Sequence, residues 1–206
     1  MAQTDFDGLA PHEIAVLLVD FQNDFCHPNA AGGCPAGNTA NARVAAEANE
    51  FARQASMHGA HVIYSQQILN LSRLTPLQRR WETPGGLCAE GSWGAELFIA
   101  PIPGATIVRK YRFDIWQSQE FTSLLEARGV KGLIITGVEL RCCVLYAVLG
   151  AEERGYRYVV AQELVSGQDD DEAVDAVRRY LRVVHHASTS AQGLLQGWTQ
   201  ARDATR

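Results

Sequence analysis

The sequence has no run of lysines and arginines. Its 18 basic residues are outnumbered by 23 acidic ones, for a formal net charge of −5. Proteins that hold nucleic acid need a basic stripe to neutralise phosphates, so that class has no support here. Long apolar runs are also missing. Runs such as Ile14 to Val19 and Leu133 to Ile135 fall far short of the roughly 20 residues that span a bilayer. Neither a nucleic acid nor a membrane is an expected partner. Residues 1–8 carry two aspartates and no basic residue, which does not match the start of a secretory signal. Cysteine spacing excludes more. The five cysteines are Cys26, Cys34, Cys88, Cys142 and Cys143. The number is odd, no pair has CxxC spacing, and no second Cys/His pair completes a zinc set. No metal site and no disulfide framework is expected, and the thiols suit a reducing cytoplasm. Internal repeats, low-complexity tracts and linkers are absent as well.

What is present is an ordinary globular balance, 47% hydrophobic and 20% charged. A chain of 206 residues fits a single domain over 1–206. At that length folding buries roughly 70% of the surface of the unfolded chain, so no staple is required.

Strand-like and helix-like segments alternate. Ile14-Ala-Val-Leu-Leu-Val19 is a continuous apolar run that ends at Asp20, as expected of a strand buried on both faces. Asn38 and Thr39 offer caps for a helix to about His58, stopped by Gly59. His61 to Ser65 reads as a second strand. Residues 66–104 read as a long irregular excursion, with Pro76, Pro84, Pro101 and Pro103 among several glycines. Thr106 to Arg109 is a third strand, and Ser118 can cap a helix that ends near Gly129. Leu133 to Thr136 is a fourth strand, with a helix from about Cys143 to Glu153 after it. Tyr158 to Ala161 is a fifth. Asp169, Asp170 and Asp171 suit the start of a helix that runs to about Val183. A short strand near His185 to Ser188 and a helix over Ala191 to Trp198 complete the pattern. This βαβα order implies a Rossmann-like three-layer α/β/α sandwich with a mostly parallel six-stranded sheet.

Ligands of open parallel sheets bind beyond the carboxyl ends of the strands. Three reactive side chains fall there. Asp20 ends the first strand, Lys110 ends the third, and Cys143 follows the fourth at the start of a helix. The positive end of the helix dipole should lower the pKa of that thiol. The first amides of the helix have no intrahelical partner and can hold an oxyanion. A carboxylate near the thiol can take its proton, and a lysine can steady the carboxylate.

Three segments also carry a resemblance. Leu18-Val-Asp20-Phe-Gln-Asn-Asp-Phe25 is similar to the Asp-bearing opening motif of the isochorismatase-like cysteine hydrolases. Val108-Arg-Lys110-Tyr-Arg-Phe113 resembles their lysine segment. Gly137-Val-Glu-Leu-Arg-Cys-Cys143-Val144 resembles their nucleophile segment, and Gly150-Ala-Glu-Glu-Arg-Gly155-Tyr156 the helix end that follows. The likeness covers about residues 12–190 and runs in order. It implies Cys143 as nucleophile, Asp20 as base and Lys110 as their partner. It also implies a cis peptide at Val138–Glu139, an oxyanion hole from the Glu139 and Cys143 amides, and a homodimer or homotetramer. The amidohydrolase branch is the expected one, cleaving the C–N bond of a small amide, ureide or N-carbamoyl compound without a cofactor.

The departures set limits. Leu140 and Arg141 stand where members often have Thr and an acidic residue, and Ala147 replaces a small polar residue. Tyr64-Ser-Gln-Gln-Ile-Leu-Asn70 replaces the Asp-x-His metal motif of nicotinamidase-like members. One rival reading keeps the fold and cleaves an ester or vinyl ether. Another is a thiol redox or sensor protein using Cys142–Cys143, although a vicinal disulfide is strained. A third is a silent binding or scaffold domain. Phe25, Trp93, Trp116 and Tyr146 are candidates to line the pocket. Cys26, Cys34 and Cys88 read as inert thiols, and Cys142 as a core or wall residue turned away from the pocket. Asp24, His185 and His186 read as structural.

Overall fold

Strand β1 (Ile14–Val19) is buried at all six positions, and its neighbours show why no polar residue interrupts it. In the computed structural model, which describes residues 6, 8–30, 39–82, 85–166, 172–184 and 188–204, β1 lies inside a fully parallel sheet. The other strands are β2 (His61–Gln67), β3 (Thr106–Lys110), β4 (Gly132–Gly137), β5 (Arg157–Val165) and β6 (Ser188–Thr189). Their order is β3-β2-β1-β4-β5-β6, with β6 reduced to a two-residue edge.

Side chains alternate across a strand. Ala15, Leu17 and Val19 therefore enter one core, while Ile14, Val16 and Leu18 enter the other. The first core is closed by α4 (Gln119–Ala127), α5 (Leu145–Glu153) and α6 (Glu172–Val184) through residues such as Phe121, Val148 and Leu181. The second is closed by α2 (Thr39–Met57) and α7 (Ala191–Ala204) through Val44, Phe51 and Leu194. The result is the three-layer α/β/α sandwich. Each large apolar side chain buried this way contributes about 1.5–3 kcal/mol.

Close packing decides two glycines. Gly137 has φ +128°, and a Cβ there would stand 2.3 Å from the Val19 carbonyl oxygen, so the ends of β1 and β4 meet only over glycine. A Cβ on Gly150 would stand 2.0 Å from Trp116 Cδ1. The Trp116 indole is buried and donates to the Ala147 carbonyl at 3.0 Å, so it has little room to yield. Gly150→Ala should therefore destabilise the protein by about 1–3 kcal/mol through overpacking. That exceeds the gain of up to about 1 kcal/mol from better helix propensity. A urea titration reads this as a lower midpoint at an unchanged slope; a higher midpoint would contradict it.

The region after β2 is irregular, as expected, and contains the single-turn helix α3 (Pro76–Arg79). It is pinned to the short helix α1 (Asn23–Cys26) and the residue before it. Gln22 Nε2 donates to the Ala95 carbonyl at 2.7 Å, and Asn23 Nδ2 to that of Trp93 at 2.8 Å. Asp24 Oδ2 accepts the Cys88 amide at 2.6 Å. A network of side-chain amides thus gives a wall to a segment with almost no regular structure.

Several expectations need correction. Strands β2 and β5 run further than their apolar patterns suggest: Gln66 and Gln67 pair with Arg109 and Lys110, and β5 resumes its pairing with β4 at Val165 beyond a register irregularity. The helix expected from Cys143 begins instead with a π-helical turn over Leu140–Val144, and α5 starts at Leu145. Ser118 occupies the N-cap of α4, but its side chain makes no capping hydrogen bond. Cys34, Asn38, Asp169 to Asp171, His185 and His186 lie outside the described residues.

Candidate active site

The strand order reverses between β1 and β4, which opens a crevice at their carboxyl ends. Four strands present a residue to it. Asp20 follows β1, Gln67 ends β2, Lys110 ends β3, and β4 leads into the π-helical turn that carries Cys143. Gln67 and Lys110 are direct register partners.

Asp20 leaves β1 at φ +53°, a left-handed conformation that Asp tolerates better than most residues. Its amide donates to Ser65 Oγ at 3.1 Å, and the Ser65 hydroxyl donates to Oδ1 at 2.6 Å. Oδ2 lies 2.7 Å from Lys110 Nζ. That contact is an ion pair outside ideal hydrogen-bond geometry, so Oδ2 retains an acceptor site for a proton. Lys110 Nζ also donates to Cys143 Sγ at 3.3 Å, to Gln67 Oε1 at 3.2 Å and to the Arg112 carbonyl at 3.1 Å. Cys143 Sγ is 3.5 Å from Gln67 Oε1 and within hydrogen-bond reach of Asp20. Asp20 is 0%, Lys110 2% and Cys143 5% exposed, so this cluster is shielded from bulk water.

Burial sets the charge states. It pushes the Cys143 thiol well above its usual pKa; the Lys110 ammonium pulls it down and the Asp20 carboxylate pushes it up again. The expected lowering by the helix dipole does not win, because the π-helical turn is buried and desolvation outweighs a partial charge. The upward direction favours the protonated thiol over the thiolate. Burial also opposes the Lys110 ammonium, but its pairing with the Asp20 carboxylate outweighs that, and its pKa ends above the ordinary value. Burial, then the Asp20 charge, raise the Cys26 and Cys88 thiols as well.

The turn that holds Cys143 is built on one carbonyl. Glu139 O accepts the amides of Cys142 at 3.0 Å and Val144 at 3.2 Å, the second being the wide bond of a π-helix. The Leu140 amide donates to the Ser166 carbonyl at 3.0 Å, tying the turn to the residue after β5. The Val138–Glu139 peptide is cis.

Cys143 opens into a cavity of about 210 Å³. Phe25 lines it; of the other proposed pocket aromatics, Trp116 sits in the core, Trp93 packs edge-on against His27, and Tyr146 is exposed on α5. Those three do not line this cavity, since their places are set by helix rotation and by the excursion. Cys142 does line it, contrary to expectation, because the wide π-helical turn leaves its side chain facing the opening. Tyr111, Arg112 and Phe113 were missed although a signal was available: they continue directly from the β3 end. Glu82, Leu69 and Leu87 reach the cavity from the excursion and carried no signal. Among the described residues, no group of three or more His, Cys, Asp or Glu could hold a metal ion.

Comparison with known proteins agrees with this architecture. A ureidoacrylate amidohydrolase RutB from Azorhizobium caulinodans is 31% identical over 159 residues, covering 66% of this chain and 69% of that protein. A second, from Pseudomonas syringae pv. syringae, is 27% identical over 66% of this chain and 63% of its own length. The crystal structure of a cysteine hydrolase from Pseudomonas syringae pv. phaseolicola shares the fold with a TM-score of 0.81 at 19% identity, over 94% of this chain and 95% of that one. The Isochorismatase domain matches residues 14–192, and on that match the chain belongs to the isochorismatase family.

Proposed function

We propose that this family member is a cysteine-dependent amidohydrolase, cleaving the C–N bond of a small amide, ureide or N-carbamoyl compound through a thioester. One observation carries the reading: a buried lysine within 2.7 Å of a carboxylate and 3.3 Å of a thiol that lines a small cavity. The relatives named as ureidoacrylate amidohydrolases support a C–N bond as the target.

Asp20 Oδ2 takes the proton of Cys143 as Sγ attacks the carbonyl carbon. The developing oxyanion is received by the backbone amides of Glu139 and Cys143, donors of a kind worth roughly 3–4 kcal/mol each. Asp20 then protonates the leaving nitrogen, the C–N bond breaks, and an acyl or carbamoyl thioester remains. A water that gives its proton to Asp20 hydrolyses the thioester and frees the thiol. Lys110 stays charged throughout and holds Asp20 ionised and aimed. A reduced thiol is required, which suits a cytoplasmic enzyme, and a homodimer or homotetramer is the assembly that accompanies this reading.

The test is ammonia release from a panel of primary amides, ureides and N-carbamoyl compounds, with acid-quenched mass spectrometry to trap the acyl group on Cys143. Turnover should persist after exhaustive chelation. Turnover with no thioester, or activity lost on chelation and restored by zinc, would overturn the mechanism.

A further inference from the structure

Six charged groups surround the thiol, and they form three pairs. Lys110, paired with Asp20, contacts the thiol directly. In the wall, Arg112 Nη1 lies 2.8 Å from Glu82 Oε1, and Arg141 Nε lies 2.8 Å from Glu139 Oε2. Among the described residues, the wall pairs are the only charged ones lining the cavity, two of each sign. Both are shielded: side-chain exposure is 29% and 26% in the first pair, and 29% and 11% in the second. The rest of the wall is largely apolar, with Phe25, Leu69, Leu87 and Phe113.

We infer that the substrate of this site is an uncharged amide or ureide with a short apolar substituent, and that the Arg112–Glu82 and Arg141–Glu139 pairs exclude anions. The inference rests on the amidohydrolase reading of the same cavity. An entering carboxylate has two options. It can displace Glu82 or Glu139 from its arginine, breaking a partly shielded pair. Otherwise it shares a guanidinium with a carboxylate already there, setting like charges side by side. A cation meets the mirror-image obstacle at the arginines. A neutral substituent breaks no pair and gains apolar contact. The volume of about 210 Å³ limits that substituent to a few carbons.

Alkylation of Cys143 tests the charge rule without requiring hydrolysis. Iodoacetamide and iodoacetate differ in little but charge. Rates at Cys143, located by peptide fragmentation, are compared as a ratio and divided by the same ratio for 2-mercaptoethanol. The neutral reagent should be favoured by at least about tenfold, the scale of a like-charge clash. Glu82→Gln vacates Arg112 and should bring the ratio towards that of the free thiol. Equal or faster reaction of iodoacetate, or an unchanged ratio in a folded Glu82→Gln protein, would overturn the inference. A second measurement uses the unmodified protein alone: 4-methylpentanamide should have the higher kcat/KM against its carboxylate counterpart succinamate, and the reverse order would also overturn it. If no compound of the panel turns over while the alkylation ratio holds, the hydrolase reading fails and the charge rule stands.

Discussion

Replacing Cys143 with alanine should lower turnover by at least about 10⁴-fold, because the atom that forms the thioester is gone and the site offers no second nucleophile in the same place. Cys143 is buried, yet the change removes a single sulfur and adds no charge, so the fold should persist. The neighbouring Cys142→Ala is the internal control. Cys142 lines the same cavity but is not among the contacts of Lys110 Nζ, which reach Asp20, Gln67, Arg112 and Cys143. Its loss should change kcat by no more than about tenfold, or about 1.4 kcal/mol of barrier. Steady-state kinetics and intact mass after acid quenching of both variants decide the matter. An inactive Cys142 variant beside an active Cys143 variant would reassign the nucleophile.

The second large effect belongs to Asp20 and Lys110 as a unit. Asp20→Asn keeps the side-chain shape and its contact with Ser65, but it cannot take the thiol proton. With the Cys143 thiol held well above its usual pKa by burial, no standing thiolate replaces the lost base. Acylation should fall by at least about 10²-fold. Lys110→Met removes the partner charge while retaining a long side chain, and it strands the Asp20 carboxylate in a buried site. Breaking a buried pair in this way costs about 3–5 kcal/mol of stability. That is a large share of the total of about 5–15 kcal/mol. The double variant leaves no orphan charge. It should be more stable than the sum of the singles predicts, and its acylation little worse than that of the worse single. Single-turnover acylation and urea denaturation of all four proteins complete the cycle. Full additivity in both readouts, or normal acylation in Asp20→Asn, would show that the two residues do not act together on Cys143.

The parallel sheet was legible because its signals are local. A strand buried on both faces must be apolar throughout, as Ile14 to Val19 is, and the polar residue that breaks the run marks where the strand meets solvent or a site. Asp20, Lys110 and Cys143 were found in the same way, each at a strand end and each in a motif. Their proximity was not legible. Asp20 and Lys110 are 90 positions apart in sequence and β2 lies between their strands, so only the β3-β2-β1-β4 order brings them to 2.7 Å.

The amino-acid sequence by itself determined the α/β alternation, the family resemblance and the three candidate reactive side chains, since these depend on residue type and short-range spacing. Only the tertiary structure decided the rest. It placed Trp116 in the core and Cys142 in the cavity wall, because helix rotation and a π-helical turn cannot be read from spacing. It left Cys143 a thiol where the dipole argument pointed to a lowered pKa, because desolvation is a property of everything packed around the sulfur. It also joined Arg112 to Glu82 and Arg141 to Glu139, balancing the charge of the cavity among the described residues. Charge pairing and burial arise from residues distant in the chain, and the fold alone sets them side by side.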